Sequence, residues 1–154
     1  MNVLNFVPIS ERLASSGQPA AEDFPAIAAE GFGTVINLAM PTSDNAIAEE
    51  GAIVTGLGMN YIHIPVVWEA PRVAQFHAFC RILQQLEDTK TWVHCALNMR
   101  VSCFLYLYHT EVAGMPEPEA RALMHRIWNP DDFPAWKRFI EDVRSNPQPL
   151  LPGR

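Results

Sequence analysis

The segment from Trp92 to Ser102 restricts the fold of this chain more than any other stretch, because its pattern changes from strand to helix across a short loop. Residues 92–94 predict a short buried strand, and residues 101–113 predict a helix. A strand that turns tightly into a helix is typical of α/β folds, in which ligands bind beyond the carboxyl ends of the strands. Cys95 stands at such an end, so the loop that begins there is the first candidate for a functional site.

The rest of the chain repeats this alternation of buried strands and amphipathic helices. Strands are predicted at residues 13–15, 34–38 and 61–64, and helices at residues 19–30, 43–57, 71–86, 116–127 and 133–143. We therefore expect an α/β fold with a central, mainly parallel sheet of about four or five strands flanked by helices. A length of 154 residues with 49% hydrophobic content is enough for one core, which predicts a single domain over residues 1–154.

Charge and composition argue against several classes of partner. The chain carries 17 acidic residues against 11 lysines and arginines, and its net charge is −6. This charge argues against binding to nucleic acid or to an anionic membrane surface. No stretch approaches the ~20 apolar residues of a membrane span, and the amino terminus lacks the pattern of a signal peptide, so we expect a cytoplasmic protein.

The cysteines and histidines predict neither a disulfide framework nor a metal site. The three cysteines are odd in number and lie in apolar patterns, and the five histidines show no ligand spacing. We expect a reduced thiol at Cys95 and neither a metal nor another cofactor. The sequence leaves the oligomeric state open.

The neighbours of Cys95 favour a reactive thiolate, although a lone cysteine at a strand end is more often a small core residue. The predicted helix aims its first N–H groups and the positive end of its dipole at the loop, and Arg100 adds a permanent cation. A thiol in such surroundings loses its proton more easily and becomes a nucleophile. The same features predict a site for a phosphate-containing substrate or anion on the residues Ala96, Leu97, Asn98, Met99, Arg100 and Val101.

The order His94, Cys95, Arg100 and Ser102 resembles the signature loop of the cysteine-dependent protein tyrosine and dual-specificity phosphatases. Residues 16–19, 31–38 and 61–66 resemble segments of a small bacterial phosphatase-like family, in the same order. The resemblance covers roughly residues 13–113 and implies a phosphatase-like fold. It also implies that Cys95 attacks phosphorus, that Arg100 and the loop amides hold the phosphoryl oxygens, and that the Ser102 hydroxyl supports the thiolate as a leaving group.

The resemblance also indicates where a general acid is to be sought. The family draws this acid from the loop after the strand that ends in Ile-Pro, and Glu69 is the only acid there. A solvated carboxylate at the start of the next helix is an equal alternative for Glu69. Asp44 and Asp23 are further candidates.

The Cys95 loop (residues 95–100) departs from the family pattern in its length. The family places five residues between Cys and Arg, whereas four separate Cys95 from Arg100. If the loop is shorter by one residue, Arg100 begins the helix and folds back over the site. If the loop keeps full length, Val101 takes the place of the arginine and Arg100 points outward. The loop also lacks the usual glycine, and Asn98 tolerates a left-handed backbone better than other non-glycine residues do.

Three functions follow from these patterns. The first is a phosphatase that hydrolyses a phosphomonoester, such as phosphotyrosine or a small phosphoester, through a phosphocysteine on Cys95. The second is a domain that binds phosphate with little turnover. The third is a rhodanese-type sulfurtransferase, because rhodanese loops also place four residues between Cys and Arg. Residues 16–19 and 61–66 match the phosphatase-like family and not rhodaneses, which favours the first function over the third.

Overall fold

Five strands form one sheet in the computed structural model of the chain, which describes residues 2–147. The strands are β1 (Val7–Ser10), β2 (Leu13–Ser16), β3 (Thr34–Asn37), β4 (Asn60–His63) and β5 (Thr91–His94). Their spatial order is β1-β2-β5-β3-β4, and only β1 runs antiparallel to its neighbour. The predicted α/β fold is therefore confirmed. The predicted extent of the domain includes residue 1 and residues 148–154, which lie outside the described residues.

Strand β1 was not predicted from the sequence, because Pro8 lies within its short apolar run. Proline has no N–H to donate and is confined to edge strands within sheets. Strand β1 is such an edge strand, since within the described sheet it pairs with β2 alone.

Six α-helices cover the two faces of the sheet within the described residues. They are α1 (Phe24–Ala29), α2 (Glu50–Gly56), α3 (Val73–Gln85), α4 (Met99–Tyr108), α5 (Glu117–His125) and α6 (Pro134–Ser145). The core on one face draws side chains from α1 and α2, and the core on the other face from α3 to α6. None of these helices is long and apolar enough to cross a membrane.

Two predicted helices are shorter in the structure than the sequence pattern indicated. The helix predicted over residues 19–30 begins as a 3₁₀ turn, Ala21–Asp23, and only then continues as α1. The helix predicted from Ser43 begins at Glu50 instead. Residues of the Ser-Asp-Asn type bond to nearby backbone groups and so favour turns over helix, and a turn hydrogen bond joins the Ala46 N–H to the Ser43 carbonyl.

The register of the parallel strands brings three carboxyl ends to one edge of the sheet. His94 at the end of β5 pairs with Ser16 of β2 on one side and Asn37 of β3 on the other. Cys95 therefore begins its loop between the segments that follow β2 and β3. Helix α4 leads away from this loop and is buried from Arg100 to Leu107, which explains why its sequence is mostly apolar.

Burial of His109 makes the stability of this fold depend on pH. His109 lies at the end of α4, and burial lowers its pKa from 6.5 to about 4. Above pH 6.5 the folded and unfolded chains both carry a neutral imidazole. As the pH falls from 6.5 toward 4, the unfolded chain binds a proton that the folded chain does not, so stability is lost in that window.

We expect His109 to reduce the free energy of unfolding by about 2 kcal/mol between pH 8 and pH 5. The His109→Gln variant lacks this titration and should lose less stability over the same range. Urea denaturation at the two pH values measures the difference, and the exposed His125→Gln variant is the control. Equal pH dependence in wild type and His109→Gln would contradict the prediction.

Candidate active site at the Cys95 loop

The Cys95 loop is one residue shorter than the family pattern, because helix α4 begins at Met99. Asn98 precedes the helix in the left-handed conformation, with φ of 70°, as the sequence indicated. Its side chain is fully buried and donates to the Asn5 carbonyl at 2.9 Å and to the Ser15 hydroxyl at 3.1 Å. These bonds fix the residue at which the chain turns into the helix.

Arg100 therefore lies in the first turn of α4 and faces the site. Its guanidinium donates to the Val66 carbonyl at 2.9 Å, and the residue is 8% exposed. Val101 is fully buried in the apolar core. Of the two geometries that the sequence left open, the structure has the one in which Arg100 folds back over the loop. A cavity of about 260 Å³ is lined by Trp68, Cys95, Ala96, Leu97, Met99 and Arg100.

The carbonyl groups of three consecutive loop residues accept hydrogen bonds from outside the loop. The Cys95 carbonyl accepts a hydrogen bond from His94 Nδ1 at 3.2 Å. The Ala96 carbonyl accepts two, from the Gln18 backbone N–H at 3.0 Å and from Asn45 Nδ2 at 3.1 Å. The Leu97 carbonyl accepts one from Asn5 Nδ2 at 3.0 Å. In a trans peptide the C=O and the following N–H point in opposite directions. The N–H groups of residues 96–98 therefore face away from these donors, next to the free N–H groups at the start of α4.

Position 17 requires a glycine, because its backbone lies too close to this loop for a side chain to fit. A Cβ atom at Gly17 would lie 2.8 Å from the Ala96 carbonyl oxygen and 3.1 Å from the Leu4 side chain. This approach allows the next residue, Gln18, to donate its backbone N–H to that same carbonyl. The Ser-Gly-Gln-Pro segment at residues 16–19 thus has a direct structural relation to the Cys95 loop.

Trp68 forms one wall of the cavity and is fixed by an aromatic cluster. Its ring centroid lies 5.3 to 5.6 Å from those of Trp128, Phe133 and Trp136, and its carbonyl accepts from Trp136 Nε1 at 2.9 Å. The connection between α5 and α6 supplies Trp128 to this cluster. Beyond Trp68 the cavity widens into an opening of about 670 Å³, lined in part by the exposed acids Glu69 and Asp44.

Two predicted site residues lie behind the cavity rather than on its surface. The Ser102 hydroxyl donates to the Met99 carbonyl at 3.1 Å and accepts from Trp128 Nε1 at 2.9 Å. His94 is fully buried, and its Nε2 lies 2.6 Å from Oε2 of the buried Glu50.

Four residues around the loop were not predicted from the sequence: Glu50, Asn5, Gln18 and Asn45. Glu50 carried a signal, because it falls three residues after Ile47 and four before Val54, on the inward face of its segment. An acid at an inward position needs a buried partner. Asn5 contacts the loop through two hydrogen bonds and Gln18 and Asn45 through one each, and such contacts leave no sequence pattern.

The three thiols differ in their surroundings. Burial raises the pKa of Cys80 and of Cys103 well above the usual range, so both thiols stay protonated. Cys95 is also buried, but it lines the cavity beside Arg100. Among residues 2–147, no three His, Cys, Asp or Glu side chains are grouped closely enough to hold a metal ion.

We expect Gly17→Ala to displace the Cys95 loop and to destabilise the protein by about 1–3 kcal/mol, because the added methyl group meets backbone. Gly33→Ala is the matched control, since a Cβ atom there has nothing within 4 Å. Chemical denaturation of both variants tests the prediction. Equal stability of the two variants would show that residues 95–100 tolerate a larger side chain at position 17.

Known proteins resemble this chain in sequence and in fold. Residues 8–126 match the family model described as DSP-PTPase phosphatase fused to NAD+ kinase. A beta-lactamase hydrolase-like protein of Xylella fastidiosa is 32% identical over 127 residues, which are 79% of this chain and 29% of that protein. The chain thus spans less than a third of the length of the curated relatives it matches.

Two solved structures extend the comparison. A DUF442 protein of Shewanella putrefaciens, described as a candidate phosphatase, has a TM-score of 0.84 and 29% identity, covering 96% of this chain and 94% of that one. TpbA of P. aeruginosa, crystallised with phosphotyrosine, has a TM-score of 0.72 and 19% identity, covering 92% and 87%. The latter likeness concerns the fold alone. With 119 of its residues, 8–126, matched by the family model, the chain belongs to the DSP-PTPase phosphatase family and has its protein tyrosine phosphatase-like fold.

Proposed function

We propose that this chain is a cysteine-dependent phosphatase that hydrolyses phosphomonoesters through a phosphocysteine intermediate on Cys95. The observation that carries the proposal is that Cys95 and Arg100 line one cavity at the amino terminus of α4. The outward bonds of the loop carbonyls support it, since they leave backbone N–H groups free for an oxyanion. Membership of a phosphatase family supports cysteine-dependent phosphate chemistry in general.

In the proposed reaction, the Cys95 thiolate attacks phosphorus. An S–P bond forms as the bond between phosphorus and the leaving oxygen breaks, and that oxygen takes a proton from a general acid. Water then attacks phosphorus, the S–P bond breaks with its electron pair returning to sulfur, and the former acid accepts the proton of the water. Inorganic phosphate leaves the site.

Arg100 and the loop N–H groups hold the non-bridging oxygens in both steps. The phosphoryl group carries negative charge that grows on these oxygens as the transition state forms, and preorganised donors stabilise it strongly. Arg100 is 8% exposed, and one of its donors is bound to Val66, which limits its motion. Burial strengthens the charge-assisted bonds that the remaining guanidinium donors make to phosphate.

Glu69 is the proposed general acid. It follows Trp68, whose ring lines the cavity and whose carbonyl is fixed by Trp136. Glu69 and Asp44 both line the wider opening that also contains Arg100. We prefer Glu69 because it lies on the loop that follows Ile64 and Pro65, where related phosphatases carry the general acid according to the family resemblance.

Replacing Cys95 and Arg100 tests the proposed function. With p-nitrophenyl phosphate as substrate, we expect Cys95→Ser to abolish turnover. Arg100→Ala should lower kcat/KM by a factor of about 100 to 1,000, because it removes donors to the transition state. The matched controls, Cys80→Ser and the exposed Arg126→Ala, should retain activity. If wild type, Cys95→Ser and Arg100→Ala are equally slow, the chain is not a phosphatase.

The acid assignment is tested with two substrates that differ in their leaving group. Glu69→Gln should lower kcat for an alkyl phosphate by a factor of about 100 and affect p-nitrophenyl phosphate much less, because nitrophenolate departs without a proton. Asp44→Asn is the matched control and should show no such selectivity. The reverse pattern would make Asp44 the acid.

A sulfurtransferase is the second candidate, and the short loop favours it. Four residues separate Cys95 from Arg100, as in rhodaneses, and α4 begins at Met99. In that reaction the Cys95 thiolate takes the outer sulfur of thiosulfate and releases sulfite, and cyanide then removes the sulfur as thiocyanate. Thiocyanate formation without aryl-phosphate hydrolysis would establish this function. Binding of inorganic phosphate without either reaction would indicate a phosphate-binding domain.

A further inference from the structure

We infer that Glu50 is a positioning residue for Cys95, because it holds His94 as an imidazolium that binds the Cys95 carbonyl. The inference rests on the part of the proposed function in which Cys95 reacts as a thiolate. Glu50 has no role in the proposed phosphatase reaction, although this acid binds His94, the residue that precedes Cys95.

The Glu50 carboxylate is buried and has close partners. Glu50 is 2% exposed, and His94 is fully buried. Oε2 of Glu50 lies 2.6 Å from His94 Nε2, and Oε1 accepts from Gln18 Nε2 at 2.6 Å. A buried carboxylate is stable only when it is paired and hydrogen-bonded, and these contacts meet both conditions.

The contacts of His94 place one proton on its ring, and a second follows when Glu50 is ionised. Nδ1 lies 3.2 Å from the Cys95 carbonyl, which can only accept, so Nδ1 carries a hydrogen. Nε2 faces a carboxylate oxygen. An ionised Glu50 accepts from both His94 and Gln18, and this requires a second hydrogen on Nε2. The ring is then an imidazolium paired with a carboxylate.

Within residues 2–147, the pair of His94 and Glu50 and the titratable groups beside it come from three elements, α2, β4 and β5. Glu50 belongs to α2, Cys95 follows β5, and Tyr61 of β4 interacts with Glu50. Burial raises the pKa of Tyr61 to about 12, with a smaller contribution from the Glu50 charge, so Tyr61 stays neutral. Gln18, from the segment after β2, is uncharged.

The arrangement has two consequences for Cys95. The imidazolium lies on the adjacent residue, so the neutral His94–Glu50 pair presents its positive end to the thiol, which favours the thiolate. The hydrogen bond from His94 to the Cys95 carbonyl also fixes the direction of the Ala96 N–H, which points away from that carbonyl. With Glu50→Gln, the neutral amide no longer stabilises the second ring proton, so the charge behind the thiol is lost.

The alkylation rate of Cys95 by iodoacetamide across pH tests this inference. Mass spectrometry of the full chain, digested after labelling, follows the Cys95 peptide. We expect the pH midpoint to rise by about one unit in Glu50→Gln. Glu49→Gln changes the exposed neighbouring acid and should leave the midpoint unchanged. An unchanged midpoint in folded Glu50→Gln would overturn the inference.

A measurement on the wild-type chain decides the question if Glu50→Gln does not fold. The ¹⁵N shifts of the His94 ring at pH 7.5 should show both nitrogens protonated, and a neutral tautomer would overturn the inference. Neither experiment depends on turnover of a phosphoester. If the chain hydrolyses no phosphoester but shows the expected alkylation midpoint and ¹⁵N shifts, the proposed function fails. Glu50 then remains a positioning residue.

Discussion

The outward orientation of the carbonyl groups of Cys95, Ala96 and Leu97 is the constraint on which the site depends. Their hydrogen-bond donors come from the amino-terminal segment, the segment after β2, the turn before α2 and the end of β5. Because each peptide is trans, fixing the carbonyls on one side fixes the N–H groups on the other. Separate parts of the fold must therefore assemble before the loop takes this conformation.

The site concentrates positive charge locally in a protein that is acidic overall. The net charge is −6, yet Arg100 and the amino terminus of α4 meet at the cavity beside Cys95. Attraction of an anion therefore acts at short range, through helix N–H groups and one guanidinium. The apolar side chains of Trp68, Leu97 and Met99 line the same cavity.

Sequence patterns predicted the fold well where the chain has regular periodicity. The four parallel strands, α3 and the buried α4 follow from apolar spacing, because each is long or apolar enough to be recognised locally. The turns that replace the predicted helix after Ser43 were missed, since the side-chain amide of Asn45 is bound to Ala96, a residue far away in the sequence. Strand β1 was missed because Pro8 lies within its short apolar run.

For the site, the sequence alone determined the chemistry that is present: a thiol at the end of a strand, an arginine nearby and a helix after them. Only the tertiary structure decided the direction in which Arg100 points and the residues that hold the loop. Spacing along the chain cannot distinguish a short loop from a full-length one, because the difference depends on where α4 begins. The buried pair of Glu50 and His94 also depends on the tertiary structure, since 43 residues separate its members. Such contacts form when the sheet brings distant segments to one edge, and the inward position of Glu50 in the sequence does not identify its partner.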